Sequence, residues 1–219
     1  VTPAPLYALF DLDGTLVDPQ GAITDGVADA LAAHGIERPD EATLRTFVGP
    51  PMTVRLEELY GLDAETARHI VDRYRKKYVS EGMFKSEVYA QVPQVLATLE
   101  HAGVHLAVVT QKPQPVAHAL LDAMGLSDYF ANVYGDLGAE TEGKEPILRR
   151  ALADLPAGSR AIMIGDRRYD IEAAQALGIP GWGVAWGYAA PGELEAAGAQ
   201  WIAATPEELG DKLLEVNRA

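Results

Sequence analysis

Cysteine is absent from the 219 residues. That removes a disulfide framework, a thiol nucleophile and a zinc–thiolate site, and it suits a cytoplasmic location. No apolar run approaches the ~20 residues of a membrane span; the longest, around Val108-Val109, are strand-sized. The N-terminus has no basic stretch followed by an apolar segment, so no secretory signal is expected. Basic residues are few, 18 Lys and Arg against 32 Asp and Glu, for a formal net charge of −14. A nucleic acid polymer or an anionic membrane needs a basic footprint, so neither is expected as a partner. The same field repels a small anion. Any phosphate site must therefore be built locally, from a metal ion, a lysine and backbone amides. Most of the acidic residues read as a solvated surface. Internal repeats, low-complexity stretches and blocks of like charge are also missing.

What is present is a chain that is 48% hydrophobic, enough to bury a core in one large domain or in a domain carrying a smaller insert. Short apolar runs at 6–10, 105–110, 160–165 and 181–186 are bounded by Gly, Pro or polar residues, as strands buried on both faces are. Helical stripes separate them. They are Val95, Leu96 and Leu99; Val116, Leu120 and Met124, stopped by Gly125; Ile147, Leu148, Ala151 and Leu152; and Ile171, Ala174 and Leu177. Thr205-Pro206-Glu207-Glu208 has the form of a capping box that opens a last helix through Leu209 and Leu213. Strand and helix in alternation predict an α/β fold, a Rossmann-like doubly wound parallel sheet. Residues 19–84 break the alternation. They carry one stripe of Ile23, Val27, Ala30 and Leu31, and a longer one of Ala67, Ile70, Val71, Tyr74 and Tyr78 behind Asp63 as N-cap. This stretch is too long for a loop and predicts a helical insert.

Two motifs carry most of the chemistry. Asp11-Leu12-Asp13-Gly14-Thr15 directly follows the first strand, where ligands of open α/β sheets gather. Two carboxylates beside a glycine suit a cation with oxygen ligands, with one carboxylate free to act as nucleophile and the other to manage a proton. An Asp-Gly turn with solvated carboxylates is the plain alternative. Gly165-Asp166-Arg167-Arg168-Tyr169-Asp170 ends a later strand, and its two aspartates are spaced to share one face of the helix expected to begin there. Helix capping is the plain alternative for this pair. Four carboxylates at neighbouring strand ends require a cation. Thr110, followed by Gln111, ends a strand where a hydroxyl and free amides can hold a phosphate oxygen. Lys144, just before a helix, supplies the fixed positive charge such a site needs.

These pieces, in this order, resemble the haloacid-dehalogenase-like hydrolase superfamily over nearly the whole chain. Phe47-Val48-Gly49-Pro50-Pro51, the run 165–171 and Val184-Ala185-Trp186-Gly187-Tyr188 are most similar to its phosphoglycolate-phosphatase-like and 5′-nucleotidase-like branch. The resemblance implies a core domain of residues 1–17 and 85–219 and a helical cap domain of residues 18–84. It implies a magnesium-dependent phosphatase in which Asp11 attacks phosphorus to form an aspartyl-phosphate. Asp13 then protonates the leaving oxygen and activates the water that hydrolyses the intermediate. Mg²⁺ is implied on Asp11, the backbone carbonyl of Asp13 and Asp166, with Asp170 orienting Lys144 or a water on the metal. Phosphate contacts are implied from Asp13, Gly14, Thr15, Thr110, Gln111 and Lys144. The cap residues Arg45, Phe47, Gly49, Pro50 and Arg55 are candidates for substrate choice.

The expected partner is a small phosphorylated metabolite, with phosphoglycolate or a nucleoside 5′-monophosphate foremost and pyrophosphate and sugar phosphates open. A monomer or homodimer fits the size. Gln111 and Tyr89-Ala90-Gln91-Val92 depart from the branch's usual residues and bear on substrate. A dehalogenase lacks the second acid that Asp13 supplies. A phosphomutase keeps all four motifs. A receiver-like phospho-switch is about half this length and has no helical insert. A scaffold with a dead site would have lost a motif position, and none is lost.

Overall fold

The computed structural model describes residues 4–138 and 143–219, so residues 1–3 and 139–142 of the expected core domain lie outside it. Its strands, in chain order, are β1 (Leu6–Phe10), β2 (Val17–Asp18), β3 (Glu87–Val88), β4 (His105–Pro113), β5 (Asn132–Asp136), β6 (Arg160–Gly165), β7 (Gly181–Val184) and β8 (Trp201–Ala203). Six of them form a sheet in the order β5-β4-β1-β6-β7-β8, and every neighbouring pair is parallel. The connecting helices are α1 (Ala22–Ala32), α2 (Glu41–Arg45), α3 (Met52–Tyr60), α4 (Ala64–Ser80), α5 (Val92–His101), α6 (Gln114–Ala123), α7 (Lys144–Ala153), α8 (Arg168–Ala176), α9 (Glu193–Ala196) and α10 (Pro206–Arg218). No helix among the described residues is long and apolar enough to cross a membrane.

The period-2 alternation of the central strands covers both faces of the sheet. Ala8 and Phe10 join Leu106, Val108, Ile162 and Ile164 in one buried cluster with α5, α6 and α10. Leu9 joins Ala107, Val109 and Met163 in another, against Ile147 and Leu148 of α7 and Ala173 and Ala174 of α8. This is the doubly wound arrangement. From β1 the chain winds outward through β4 and β5, then returns to β6 on the other side of β1. A crevice opens at such a switch point, at the carboxyl ends of β1 and β6.

The insert is helical, with no strand between residues 19 and 84. Its core is built from the expected stripes, with Val27 and Leu31 of α1 facing Ile70 and Val71 of α4. Asp63 caps α4 by accepting the amides of Glu65 at 3.0 Å and Thr66 at 2.9 Å. The two chain segments that join insert to core pair as an antiparallel ribbon, Val17 with Val88 and Asp18 with Glu87. Just beyond it, Gln91 adopts a left-handed φ of 67° as the N-cap of α5, a conformation usually left to glycine. That is how the unusual Tyr89-Ala90-Gln91-Val92 run makes its turn.

Several element bounds differ from the sequence expectation. Strand β4 runs three residues past Thr110, because its register slips between Val109 and Pro113. Strand β7 stops at Val184, since Trp186 turns away and its indole N–H donates to the carbonyl of Thr15 at 3.1 Å. Strands β5 and β8 were not expected at all. The capping box at Thr205 is open on one side. Thr205 accepts the amide of Glu208 at 3.2 Å, while the Glu208 carboxylate takes the amide of Ala204, at 2.7 Å, in place of that of Thr205.

Candidate active site

Strand β1 ends inside the molecule, and the residues that follow are not a solvated turn: Asp11 is 4% exposed and Asp13 9%. The amide of Gly14 donates to the carbonyl of Val17 at 2.8 Å, and those of Leu16 and Val17 both return to the carbonyl of Leu12. The chain thereby curls tightly over the strand end. Gly14 has φ 86°, and a Cβ there would lie 2.2 Å from Asp166 Oδ2. Only glycine permits both the turn and the close approach.

Asp166 follows β6 and is fully buried. Its Oδ2 accepts the amide of Tyr188 at 2.7 Å, and Thr15 Oγ1 lies 3.4 Å from Oδ1. Helix α8 begins at Arg168 with Arg167 as N-cap, so Asp166 stands before the helix and does not share its face. Asp170 does lie on it, and its Oδ2 accepts the amide of Arg167 at 3.1 Å. Carboxylate oxygens of Asp11, Asp166 and Asp170 come within 4.8 Å of one another.

Lys144, at the first turn of α7, is buried between them. Its Nζ lies 2.8 Å from Asp11 Oδ1 and 2.7 Å from Asp170 Oδ1, and it donates to the carbonyl of Val109 at 3.0 Å. Burial alone would lower the lysine pKa, yet Asp11 and Asp170 hold it above its usual value. Burial, with Asp11 and Asp170 alongside, pushes the Asp166 carboxyl well above the usual range. Burial also raises Asp170, to about 6, against the opposing pull of Lys144. Three carboxylates facing one ammonium carry a surplus of two negative charges when all are ionised, which burial opposes unless a cation joins them. An all-oxygen set with that surplus fits a hard divalent cation.

Thr110 is buried in β4, and its Oγ1 accepts the amide of Lys112 at 3.2 Å. Between the paired positions Val109–Tyr134 and Pro113–Asp136, β4 spends three residues where β5 spends one. Such a bulge re-aims side chains. Here it delivers Lys112, which sequence reasoning passed over, to the site. Lys112 Nζ lies 2.8 Å from Asp13 Oδ2, 3.0 Å from the hydroxyl of Tyr78 and 4.3 Å from the centre of the Tyr78 ring. Burial raises the Asp13 pKa, and Lys112 opposes the rise. The only local signal for Lys112 was its place two residues beyond Thr110, and Tyr78 stood out only as a member of the α4 stripe.

Above these groups lies a cleft between insert and core, with a cavity volume of about 90 Å³. Asp11, Asp13, Thr110, Gln111 and Lys112 line its core side, and Phe47, Gly49, Pro50, Tyr74, Arg75 and Tyr78 its insert side. Of the cap candidates, Phe47, Gly49 and Pro50 are therefore at the cleft, and Arg45 and Arg55 are not. Arg45 lies over the ring of Tyr188, 4.5 Å from its centre. Arg55 donates to Thr46 Oγ1 at 3.0 Å and pairs with Glu58 at 3.0 Å. A contact no local pattern signalled comes from Arg167. Its guanidinium donates to the carbonyl of Val48 in the insert and, through Nε, to Glu193 at 2.8 Å.

Residues 8–184 match the family described as haloacid dehalogenase-like hydrolase. The chain belongs to this family. Over 190 residues it is 36% identical to a 5′-nucleotidase of Pseudomonas aeruginosa, covering 86% of each chain. It is 35% identical to a phosphoglycolate phosphatase of Yersinia pestis, covering 82% of this chain and 80% of that one. A protein named tyrosine-protein kinase PtkA, from Mycobacterium tuberculosis, is 36% identical over 84% of this chain, which spans 64% of PtkA's own length. Among solved structures, a predicted phosphatase from Clostridium acetobutylicum superposes with a TM-score of 0.90 at 37% identity, over 97% of this chain and all of that one. The α/β core with a helical cap is thus the fold of this haloacid dehalogenase-like hydrolase.

Proposed function

We propose that this hydrolase is a Mg²⁺-dependent phosphatase that cleaves a small phosphomonoester through an aspartyl-phosphate on Asp11. The observation that carries the reading is the buried Asp11 carboxylate, 2.8 Å from Lys144 Nζ and within 4.8 Å of Asp166 and Asp170, at the floor of a cleft that the cap covers. In the first step an Asp11 oxygen attacks phosphorus and the ester P–O bond breaks. Asp13 gives its proton to the departing oxygen. In the second step water attacks phosphorus, Asp13 accepts its proton, and the Asp11 carboxylate leaves as phosphate forms. Lys144 orients Asp11 and holds phosphoryl oxygens. Thr110, Gln111 and the amide of Asp13 hold the rest, while the amides of Gly14 and Thr15 are taken by the carbonyls of Val17 and Leu12, and Asp170 keeps Lys144 in place. Asp11, Asp166 and the Asp13 carbonyl are the residues that would hold Mg²⁺, whose charge offsets repulsion between a carboxylate nucleophile and an anionic ester.

Residues 18–84 act as the cap domain and residues 1–17 with 85–219 as the core, the cap excluding water when closed. Its likeness to a phosphoglycolate phosphatase and a 5′-nucleotidase supports a substrate among small phosphomonoesters. The test is phosphate release from a panel containing phosphoglycolate, nucleoside monophosphates and sugar phosphates, with Mg²⁺ and with EDTA. Release that requires Mg²⁺ and disappears in Asp11→Asn is expected. Activity indifferent to EDTA contradicts the mechanism, and isomerised sugar phosphate in place of phosphate identifies a phosphomutase.

A further inference from the structure

The two buried lysines of the cleft divide its carboxylates between them. Lys144 serves Asp11 and Asp170, whereas Lys112 serves Asp13. In the phosphatase reading, on which this inference rests, Asp13 meets the ester oxygen. The atoms beyond that oxygen, the body of the leaving group, therefore lie beside Lys112 and away from Lys144. The Lys112 side chain is 7% exposed and an ammonium has three N–H donors. Asp13 and Tyr78 occupy two of them, and no third acceptor appears among the described residues. Two further buried atoms on the same wall, Asp13 Oδ1 and Gln111 Oε1, have no hydrogen-bond partner there either. The first is suited to the ester oxygen. The second belongs to an amide that can present its N–H₂ to an anion when turned over.

Size restricts the ligand further. The cavity of about 90 Å³ must hold the phosphoryl group as well as what is attached to it, at roughly 10–15 Å³ per water-sized occupant on this measure. A leaving group of a few heavy atoms fills it, whereas a nucleoside would extend out of the cleft. Of the other lining side chains, Phe47, Pro50 and Val71 are apolar and Arg75 lies in the field of Asp136, so Lys112 is the cleft cation beside the ester oxygen.

We propose that Lys112 is the specificity residue of this cleft. It binds a second anionic group carried by the leaving group, close to the ester oxygen. Preferred substrates are then short phosphate compounds that carry a carboxylate or a second phosphate. A neutral leaving group leaves the third donor of Lys112 dry and unpaired once the cap is closed, and a site built around a buried polar group rejects ligands that cannot satisfy it.

The test compares kcat/KM for phosphoglycolate and for pyrophosphate, each divided by kcat/KM for ethyl phosphate, in the Mg²⁺-loaded protein and in its Lys112→Met and Lys112→Arg variants. General damage from leaving Asp13 without its partner cancels in the phosphoglycolate ratio, because glycolate and ethanol both leave as alkoxides that need its proton. In the pyrophosphate ratio such damage can only raise the value, so a fall there reports loss of the anion contact. The wild-type ratio is expected to be about 10- to 100-fold for at least one of the two anions, and the larger ratio identifies which anion is bound. Lys112→Met should bring it close to one, with Lys112→Arg between. Product analogues give a readout without any variant, since glycolate should inhibit the wild-type protein at concentrations where ethylene glycol does not. A wild-type ratio near one, a ratio that survives Lys112→Met, equal inhibition by the two alcohols, or AMP turned over faster than either anionic compound overturns the proposal. Phosphate release without discrimination sinks this proposal alone, whereas no release from any compound sinks the phosphatase reading and takes this one with it.

Discussion

At Asp166, burial and two neighbouring carboxylates all oppose the charge a metal ligand must carry. A group whose folded pKa is raised contributes stability in full below its unfolded value, and that contribution is lost as pH rises through the folded value. For Asp170 the window runs from 3.8 to about 6, and Asp166 and Asp13 shift in the same direction. The exposed caps Asp40 and Asp63 are lowered, by the hydrogen bonds of Thr43 and Thr66 respectively, so their effect falls below the ordinary carboxylate value. The metal-free protein is therefore predicted to melt at a lower temperature as pH rises from about 5 to about 7.5 through the range that carboxylates reach when buried. Mg²⁺ competes with protons for the same oxygens and should raise the melting temperature more at the higher pH. Thermal melts in EDTA and in Mg²⁺ at the two values check this. An equal Mg²⁺ shift at both would mean that these carboxylates are not where the ion binds.

At the scale of elements, the contact from Arg167 to Val48 ties the N-terminus of α8 to the insert loop that presents Phe47 and Pro50 to the cleft. Arg167→Ala leaves the Val48 carbonyl and the Glu193 carboxylate without this partner, at a cost of about 1–3 kcal/mol in stability. Because the arginine side chain does not touch the carboxylate cluster, its loss should raise KM by roughly tenfold with a smaller change in kcat, the signature of weakened uniform binding. Steady-state kinetics and urea unfolding measure the two effects. A fall in kcat at unchanged KM would instead place Arg167 in the chemistry.

Helices of this protein were legible in the sequence because their apolar residues recur at helical spacing. Thus the α1 and α4 stripes predicted the buried side of the insert residue by residue. Central strands were legible as short apolar runs. Strand β5 was not, because Asn132, Gly135 and Asp136 look like a turn. A Cβ at Gly135 would lie 2.6 Å from the Gln114 backbone, beside the bulge in β4, so a close approach and not strand propensity dictates the residue. The carboxylates and Lys144 could be placed from local motifs. Lys112 could not, because its position depends on a register slip between two strands, one of which was itself unreadable.

Over the whole molecule, the site draws on residues as distant in sequence as Asp11 and Tyr188, brought together where β1 and β6 part at the centre of the sheet. In the proposed reaction a chain with net charge −14 still receives an anion there, because the two lysines and the divalent cation the site would hold set the local field while the outer carboxylates are solvated and screened. In the proposed mechanism the molecule as a whole serves to bury one nucleophile, Asp11, beneath the insert, where few waters compete for the phosphoryl group.

Trapping the covalent intermediate tests this most directly. Asp13→Asn cannot activate the hydrolytic water, yet acetyl phosphate needs no acid, because acetate leaves without a proton. Mixed with acetyl phosphate and Mg²⁺ and quenched in acid, this variant should gain one phosphoryl group per chain, mapped by peptide mass spectrometry to Asp11. Phosphorylation elsewhere, or full turnover of acetyl phosphate by Asp11→Asn, would contradict the account.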